Sequence, residues 1–302
     1  MEKIICKNNC KGKDENCLEL DSNGFPLQCV GPWVEDKYFS LEQYLHASRE
    51  ARKMFSDNGN AVFIDLFAGP GRCIIRGDRK EIDSGGIRAL NLDEAPFNEY
   101  FYFDISKTNT DALKKRIGDK PNCHVKCGDS NLLVKEFVKD LLHKEGLIRR
   151  YRYHFAYIDP FGPDDLKFNT LRELAKLNRM DMLINFPIGP IKRNLSKWKK
   201  NKDTILDDLL GTSEWRKAIT GISADGTFAV LTNIFKAQLK SIGYPEEGVK
   251  MKNIYAGLPA ISVKNTKKVD LYLLILASKH PVGRKIWNSI IKARRDGQKA
   301  WF

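Results

Sequence analysis

Four aspartates in this chain stand where an apolar run or a turn would deliver them to the same side of a fold. Asp65 closes the run that begins at Phe63, and Leu66-Phe67-Ala68-Gly69-Pro70-Gly71-Arg72 follows it. Glycines at 69 and 71 let the backbone bend sharply and approach a ligand with no Cβ in the way. Asp65 then offers an acceptor to a ligand amine or an ordered water, with Phe67 beside it. Asp104 ends Tyr100-Phe-Tyr-Phe-Asp104 and can accept both hydroxyls of a ribose, or cap the helix that follows. Asp129 follows Cys123-His-Val-Lys-Cys-Gly and can meet an adenine amino group at the far wall of the same pocket. Asp159 ends Phe155-Ala-Tyr-Ile-Asp159, and Pro160-Phe161-Gly162 comes next. Pro160 fixes the backbone, so the Asp159 side chain and the neighbouring carbonyl can grip an exocyclic NH2 while Phe161 stacks on the base that carries it. The competing reading of this stretch is an ordinary Asp-Pro turn.

The pattern at 65–71 is not the dinucleotide fingerprint, which needs a third glycine and a pyrophosphate over a helix N-terminus. An acid followed by Gly-x-Gly at the end of a first strand suits S-adenosylmethionine, whose methionine end carries an ammonium and no phosphate. The alternative is a tight turn leaving a buried strand. Strands at 63–65, 100–104, 123–127, 155–159 and 181–187 alternate with helical stretches, which demands a parallel sheet with helices on both faces. Ligands of such sheets sit outside the carboxyl ends of the strands, where Asp65, Asp104 and Asp159 would all emerge. A helix is expected from about Phe39 to Phe55, with Trp33 in the core. Residues 73–83 read as a charged loop, and Ser84 as the cap of a helix. Further helices are expected at Ser106 to 117, 132–142, 168–177, 206–244 and 282–295. The segments 253–263 and 269–277, joined by Lys264-Asn-Thr-Lys-Lys268, read as an antiparallel hairpin. The expected fold is therefore α/β: a Rossmann-like class I methyltransferase, with a mostly parallel seven-stranded sheet and an antiparallel C-terminal hairpin.

The 302 residues, 42% hydrophobic, are enough for a sizeable core. A formal charge of +13 creates a field that attracts phosphate backbones, so nucleic acid is the first partner expected. Ile191 to Lys202 concentrates that charge: Lys192, Arg193, Lys197, Lys199 and Lys200 surround Trp198. This run reads as a phosphate grip or as a solvated helix face. No apolar run approaches the roughly twenty residues of a membrane span. The first residues also lack the apolar core of a secretory signal, so the expected location is cytoplasmic, with the seven cysteines reduced.

Residues 1–31 differ from the rest and read as a Cys-rich arm in front of a methyltransferase-like domain at 32–302, with a basic helical insertion around 190–245. Cys6, Cys10, Cys17 and Cys29 crowd into the polar arm at a C-x3-C-x6-C-x11-C spacing. A structural zinc on four thiolates would order so short a segment, but paired C-x-x-C knuckles are absent. Unrelated reduced thiols in a loosely ordered arm remain the other reading.

Gly31-Pro-Trp-Val-Glu-Asp-Lys37, the stretch from Phe63 to Arg72, Ile158-Asp-Pro-Phe-Gly162, Leu183-Ile-Asn-Phe-Pro187 and Leu276-Ala-Ser-Lys-His-Pro-Val-Gly283 together resemble the three-Cys-motif partner (TcmP) family, over residues 31 to about 290. The resemblance implies a Rossmann-like methyltransferase fold and a radical-SAM-like partner that carries three cysteines. It fixes no substrate, and the cysteines of residues 1–31 are not the ones the family is named for. Asp104 lies farther beyond the glycine turn than in methyltransferases generally, which points to an insertion near Arg76 to Asp83. Asp159-Pro-Phe-Gly162 is similar to the motif of tRNA guanine-N2 dimethyltransferases, and less so to the D-P-P-Y of amino-methylating DNA enzymes. This implies methyl transfer to an exocyclic base amine, RNA before DNA. The alternative is a cofactor-binding or nucleic-acid-binding subunit without turnover of its own.

Overall fold

The computed structural model describes residues 19–77, 79–149, 151–245, 260–265 and 267–295. In chain order the elements begin with β1 (Glu19–Leu20), β2 (Pro26–Val30), α1 (Val34–Ala47), α2 (Arg49–Ser56) and β3 (Ala61–Asp65). Next come β4 (Arg72–Ile75), β5 (Glu81–Asp83), α3 (Gly85–Leu90), β6 (Glu99–Asp104), α4 (Lys107–Ile117) and β7 (Cys123–Cys127). Then follow α5 (Ser130–Ile148), β8 (Tyr153–Ile158), α6 (Phe168–Leu174), β9 (Arg179–Phe186) and α7 (Ile188–Lys199). The C-terminal third supplies α8 (Ile205–Leu210), α9 (Trp215–Ala218), α10 (Ala224–Ser241), β10 (Ala260–Lys264), β11 (Asp270–Ser278) and α11 (Pro281–Arg295).

Seven strands form one sheet in the order β10-β11-β9-β8-β3-β6-β7. Strands β7, β6, β3, β8 and β9 run parallel, and β11 runs antiparallel between β9 and β10. That order, with a single reversed strand one place in from the edge, is a Rossmann-like class I methyltransferase fold. Alternation along the strands builds two cores. Val62 and Ile64 of β3 join the side chains of α5 to α10 on one face. Phe63 joins α1, α3, α4 and α11 on the other. The first strand is buried on both faces, as its unbroken apolar run requires. Among the described residues no helix is long and apolar enough to cross a membrane.

The structure corrects several boundaries. The expected loop at 73–83 contains two strands, β4 and β5, because its charges pair across the strands: Arg72 meets Glu81 at 3.1 Å and Asp83 at 3.4 Å. With β1 and β2 they make a second sheet in the order β1-β2-β4-β5. Residues 19–20 and 26–30 therefore form strands, joined by a turn, and Cys29 lies in β2, paired with Ile74. Cys6, Cys10 and Cys17 fall outside the described residues. Among the described residues no group of three or more metal-ligating side chains occurs, so the zinc reading gains no support. The first helix begins at Val34, five residues earlier than expected, and the stretch 206–244 divides into α8, α9 and α10. Ser84 stands at the start of α3 without a side-chain capping bond, whereas Ser106 caps α4 through the Asn109 N–H.

Candidate functional site

The strands β3, β6 and β8 are adjacent and parallel, so Asp65, Asp104 and Asp159 emerge at one end of the sheet. Asp65 is 2% exposed. Its Oδ1 accepts the Phe67 N–H at 3.1 Å. Burial pushes its carboxyl up to about 8; nearby Asp159 and Asp104 add to the shift, and the Phe67 N–H and Lys37 oppose it. A Cβ on Gly86 would come 2.6 Å from Asp65 Oδ2, so only a glycine lets the start of α3 lie against this carboxyl. The result is a carboxyl whose ionised form is disfavoured by burial until a cation lies beside it.

Asp104 holds the glycine turn. Its Oδ2 accepts the Gly69 N–H at 2.9 Å, while Oδ1 accepts the Ser106 N–H at 2.9 Å and Asn109 Nδ2–H at 3.1 Å. The cap of α4 is Ser106 and not Asp104, whose Oδ1 instead braces the segment leading into the helix. Gly69 and Gly71 have φ of +60° and +88°, which L side chains avoid. Their surroundings differ. A Cβ on Gly71 would come 2.8 Å from Leu113 Cδ1 and 3.4 Å from Ile87, so this glycine faces the packed interior and not a ligand. Gly69 faces only the end of the Gln28 side chain. Phe67 packs against the first core. Asp129 caps α5, accepting both the backbone N–H and the side-chain Nδ2–H of Asn131 at 2.8 and 2.9 Å.

Asp159 is the centre of a network that spans three elements. Lys37 Nζ of α1 donates to its Oδ2 at 2.6 Å, Tyr157 Oη donates to the same oxygen at 3.1 Å, and Asn185 Nδ2 donates to Oδ1 at 2.7 Å. Lys37 lies on the buried face of α1 with Val34, Tyr38, Leu41 and Tyr44. Burial works against its ammonium, but the Asp159 carboxylate, together with Tyr272 and Cys73, outweighs this and holds its pKa above the ordinary lysine value. The Asn185 Oδ1 is buried and accepts no hydrogen bond from the described residues. Beside this network Phe161 stands 66% exposed, open to a planar partner. Trp33 is half-buried, with Nε1 donating to Tyr272 Oη at 2.8 Å and the Arg76 guanidinium over its ring.

Lys37, Tyr157 and Asn185 had no assigned role in the sequence. Lys37 carried a usable signal, because a lysine in register with the apolar face of a helix needs a buried partner. Tyr157 and Asn185 lie two residues before Asp159 and two before Pro187, and nothing in their spacing tells them from core residues.

The basic run forms α7, which leaves the end of β9. Lys192, Arg193, Lys197, Lys199 and Lys200 are exposed. Trp198 is not available to stack on a base: it is 6% exposed and belongs to the core under α7. The spacing explains the difference, since Ile191 and Trp198 are two turns apart on one face of the helix.

No family model matches the chain, and no curated protein matches it either. Among solved structures it is similar to Trm1 from Pyrococcus horikoshii in complex with S-adenosyl-L-methionine, at 14% identity and a TM-score of 0.39 over 82% of this chain. The chain spans 57% of that protein's length. It is also similar to a SAM-dependent methyltransferase from Anabaena variabilis, at 10% identity and a TM-score of 0.34, covering 73% of this chain and 77% of the other. A third is the plantazolicin methyltransferase BamL in complex with a triazolic desmethylPZN analog and SAH, at 11% identity and a TM-score of 0.32, covering 82% of this chain and 90% of the other.

Proposed function

We propose that this protein is an S-adenosylmethionine-dependent methyltransferase that acts on an exocyclic amine of a nucleic-acid base, RNA before DNA. The observation that carries the reading is the emergence of Asp65, Asp104 and Asp159 at the same ends of three adjacent parallel strands, with the glycine turn bound to Asp104. In this reading Asp65 takes the ammonium of the cofactor, Asp104 its ribose and Asp129 the adenine edge, with Phe67 and the turn at Gly69 and Gly71 shaping the pocket. The fit rests on the chemistry of these groups: a buried carboxyl whose ionised form lacks a full counter-charge meets a cation, and a half-buried carboxylate beside a bare backbone meets a diol.

The bound cofactor supplies an already activated methyl group, so the chain needs no strong base. Its work is to hold the target nitrogen in line. Asp159 and the Pro160 carbonyl orient the amine, and Phe161 stacks on the base. Lys37 and Asn185 fix the carboxylate between them. The exposed lysines of α7, with Arg193, take the phosphate backbone in a protein of charge +13. A radical-SAM-like protein with three cysteines is the proposed partner, on the TcmP resemblance.

A second reading is a cofactor-binding subunit of that partner without turnover. The engagement of both Asp159 oxygens by Lys37, Tyr157 and Asn185 favours it. Nucleoside mass spectrometry of RNA and DNA from cells with and without the gene separates the two. Loss of one methylated base supports the enzyme. Unchanged nucleosides, together with measured cofactor binding, support the subunit.

A further inference from the structure

The small sheet of β1, β2, β4 and β5 stands directly on the glycine turn. Strand β4 leaves that turn at Arg72, and β2 pairs with it in parallel, Gln28 opposite Cys73. A Cβ on Gly69 would lie 3.0 Å from Gln28 Oε1, so the end of the Gln28 side chain borders the bare side of Gly69. The Gly69 N–H points elsewhere, to Asp104 Oδ2 at 2.9 Å. One residue of the turn therefore has a carboxylate on its N–H and a carboxamide over its Cα. Gln28 is half-buried, and its amide makes no hydrogen bond to any other described residue.

The backbone around Gln28 is tied to the turn by one arginine. Arg116 of α4 donates to Pro26 O at 2.8 Å, to Pro70 O at 2.5 Å and to Asp21 Oδ2 at 2.6 Å. The side chains of this ion pair are only 9% and 3% exposed. A single guanidinium thus ties the residue after β1, the first residue of β2 and the middle of the Gly-Pro-Gly turn into one unit. The backbone position of Gln28 beside the turn is thus set by β2–β4 pairing and the Arg116 tie, so its amide is delivered to the Gly69 side of the turn with its hydrogen-bonding groups unspent on the described residues.

We infer that Gln28 is a cofactor-binding residue, supplied by the β1–β2 hairpin, that hydrogen-bonds the α-amino-acid end of S-adenosylmethionine. This inference rests on the methyltransferase reading above. A carboxamide carries both an N–H donor for the α-carboxylate and an oxygen acceptor for the α-ammonium. Asp104 already serves the ribose side of Gly69, and Asp65, four residues earlier in the chain, supplies the counter-charge to the ammonium.

Calorimetric titration with two probes tests it: S-adenosylhomocysteine, which has the amino-acid end, and 5′-methylthioadenosine, which lacks it. Gln28→Ala is expected to weaken S-adenosylhomocysteine about tenfold, the value of one hydrogen bond to a charged group, and to leave 5′-methylthioadenosine within about twofold. Gln28→Glu, which keeps the length and sets a carboxylate against the ligand's own, is expected to weaken S-adenosylhomocysteine further. Thermal melts establish that the variants fold, and the Glu variant gives the same comparison if the Ala variant does not. Unchanged S-adenosylhomocysteine affinity, or an equal loss for both probes, overturns the inference while leaving the cofactor reading intact. A wild-type protein that binds neither probe overturns the cofactor reading, and this inference with it.

Discussion

Lys37 Nζ lies 2.6 Å from Asp159 Oδ2, and the two side chains are only 10% and 13% exposed. A lysine from the first helix is thereby committed to the aspartate of the fourth central strand, with little water to share the charge. Removing one partner leaves the other buried and unpaired, at a cost of about 3 kcal/mol. Lys37→Met is expected to lower stability by about that much in urea unfolding. Adding Asp159→Asn to it is expected to recover most of the loss, without recovering methyl transfer. Because the folded Lys37 pKa stands above its ordinary value, its stabilisation is complete below that ordinary value and is lost only as pH rises through the higher one. The pair is therefore expected to hold throughout the neutral range, and a stability loss centred near pH 7 in wild type but absent in Lys37→Met would contradict it.

Asp65 titrates in the opposite sense to most carboxylates. Its folded pKa of about 8 exceeds the ordinary aspartate value of 3.8, so the folded protein keeps a proton that the unfolded chain releases between these values. Stability from this group is complete below the lower value and is lost as pH rises through the upper one. A cationic ligand requires the ionised form. Cofactor affinity is therefore expected to rise up to about tenfold per pH unit from about pH 6 to about pH 8 and then to level. Titrations in buffers of different ionisation enthalpy should show proton release at the lower pH and almost none above the upper pKa. Asp65→Asn should abolish the slope as well as most of the affinity.

The two glycines of the turn are expected to fail differently. Gly71→Val drives a branched side chain into Leu113 and Ile87, and an overpacked core of this kind should lower the melting temperature by roughly 4–10 °C. Gly69→Ala meets only the end of the Gln28 side chain, so its cost is backbone strain on the order of 1 kcal/mol. Cofactor affinity should fall in a protein that remains folded. Equal melting temperatures for the two variants would contradict the packing described here.

Grip and chemistry are expected to separate. Asp159→Ala removes the acceptor for the target amine and should cut methyl transfer by orders of magnitude, with little change in nucleic-acid binding. Replacing Lys197, Lys199 and Lys200 with alanine should weaken binding and flatten the log-log salt dependence by up to about three units. Cofactor binding should persist in the lysine variant. A full salt slope there would make α7 a solvated face, and wild-type turnover by Asp159→Ala would make Asp159 a structural turn.

The central strands were legible because each is an apolar run ended by an acid, an asparagine or a turn, and burial on both faces leaves little other choice of sequence. The small sheet was not legible, because β4 and β5 are only 4 and 3 residues long and their charges resemble those of a loop. Those charges pair across the strands, a relation that depends on register and not on local composition. Asp65, Asp104 and Asp159 could be placed from the ends of their strands. Lys37 and Gln28 could not be assigned, because the partner of Lys37 lies 122 residues away and Gln28 reaches the glycine turn only through the pairing of β2 with β4. Trp198 misled for a related reason: a tryptophan among lysines looks exposed until the helix is wound and its apolar neighbours line up beneath it.

The reversed strand β11 has a consequence for how the chain is made. It lies between β9 and β10, and seven of the eight residues of β9 are buried. During synthesis β9 is complete well before residues 270–278 leave the ribosome. For that interval its outer edge presents unpaired backbone groups along an apolar strand, the arrangement most prone to pair with another chain. The nascent protein therefore depends on α7 to α10 or on a chaperone to shield this edge, and chains released before β11 should aggregate in place of accumulating as smaller folded units.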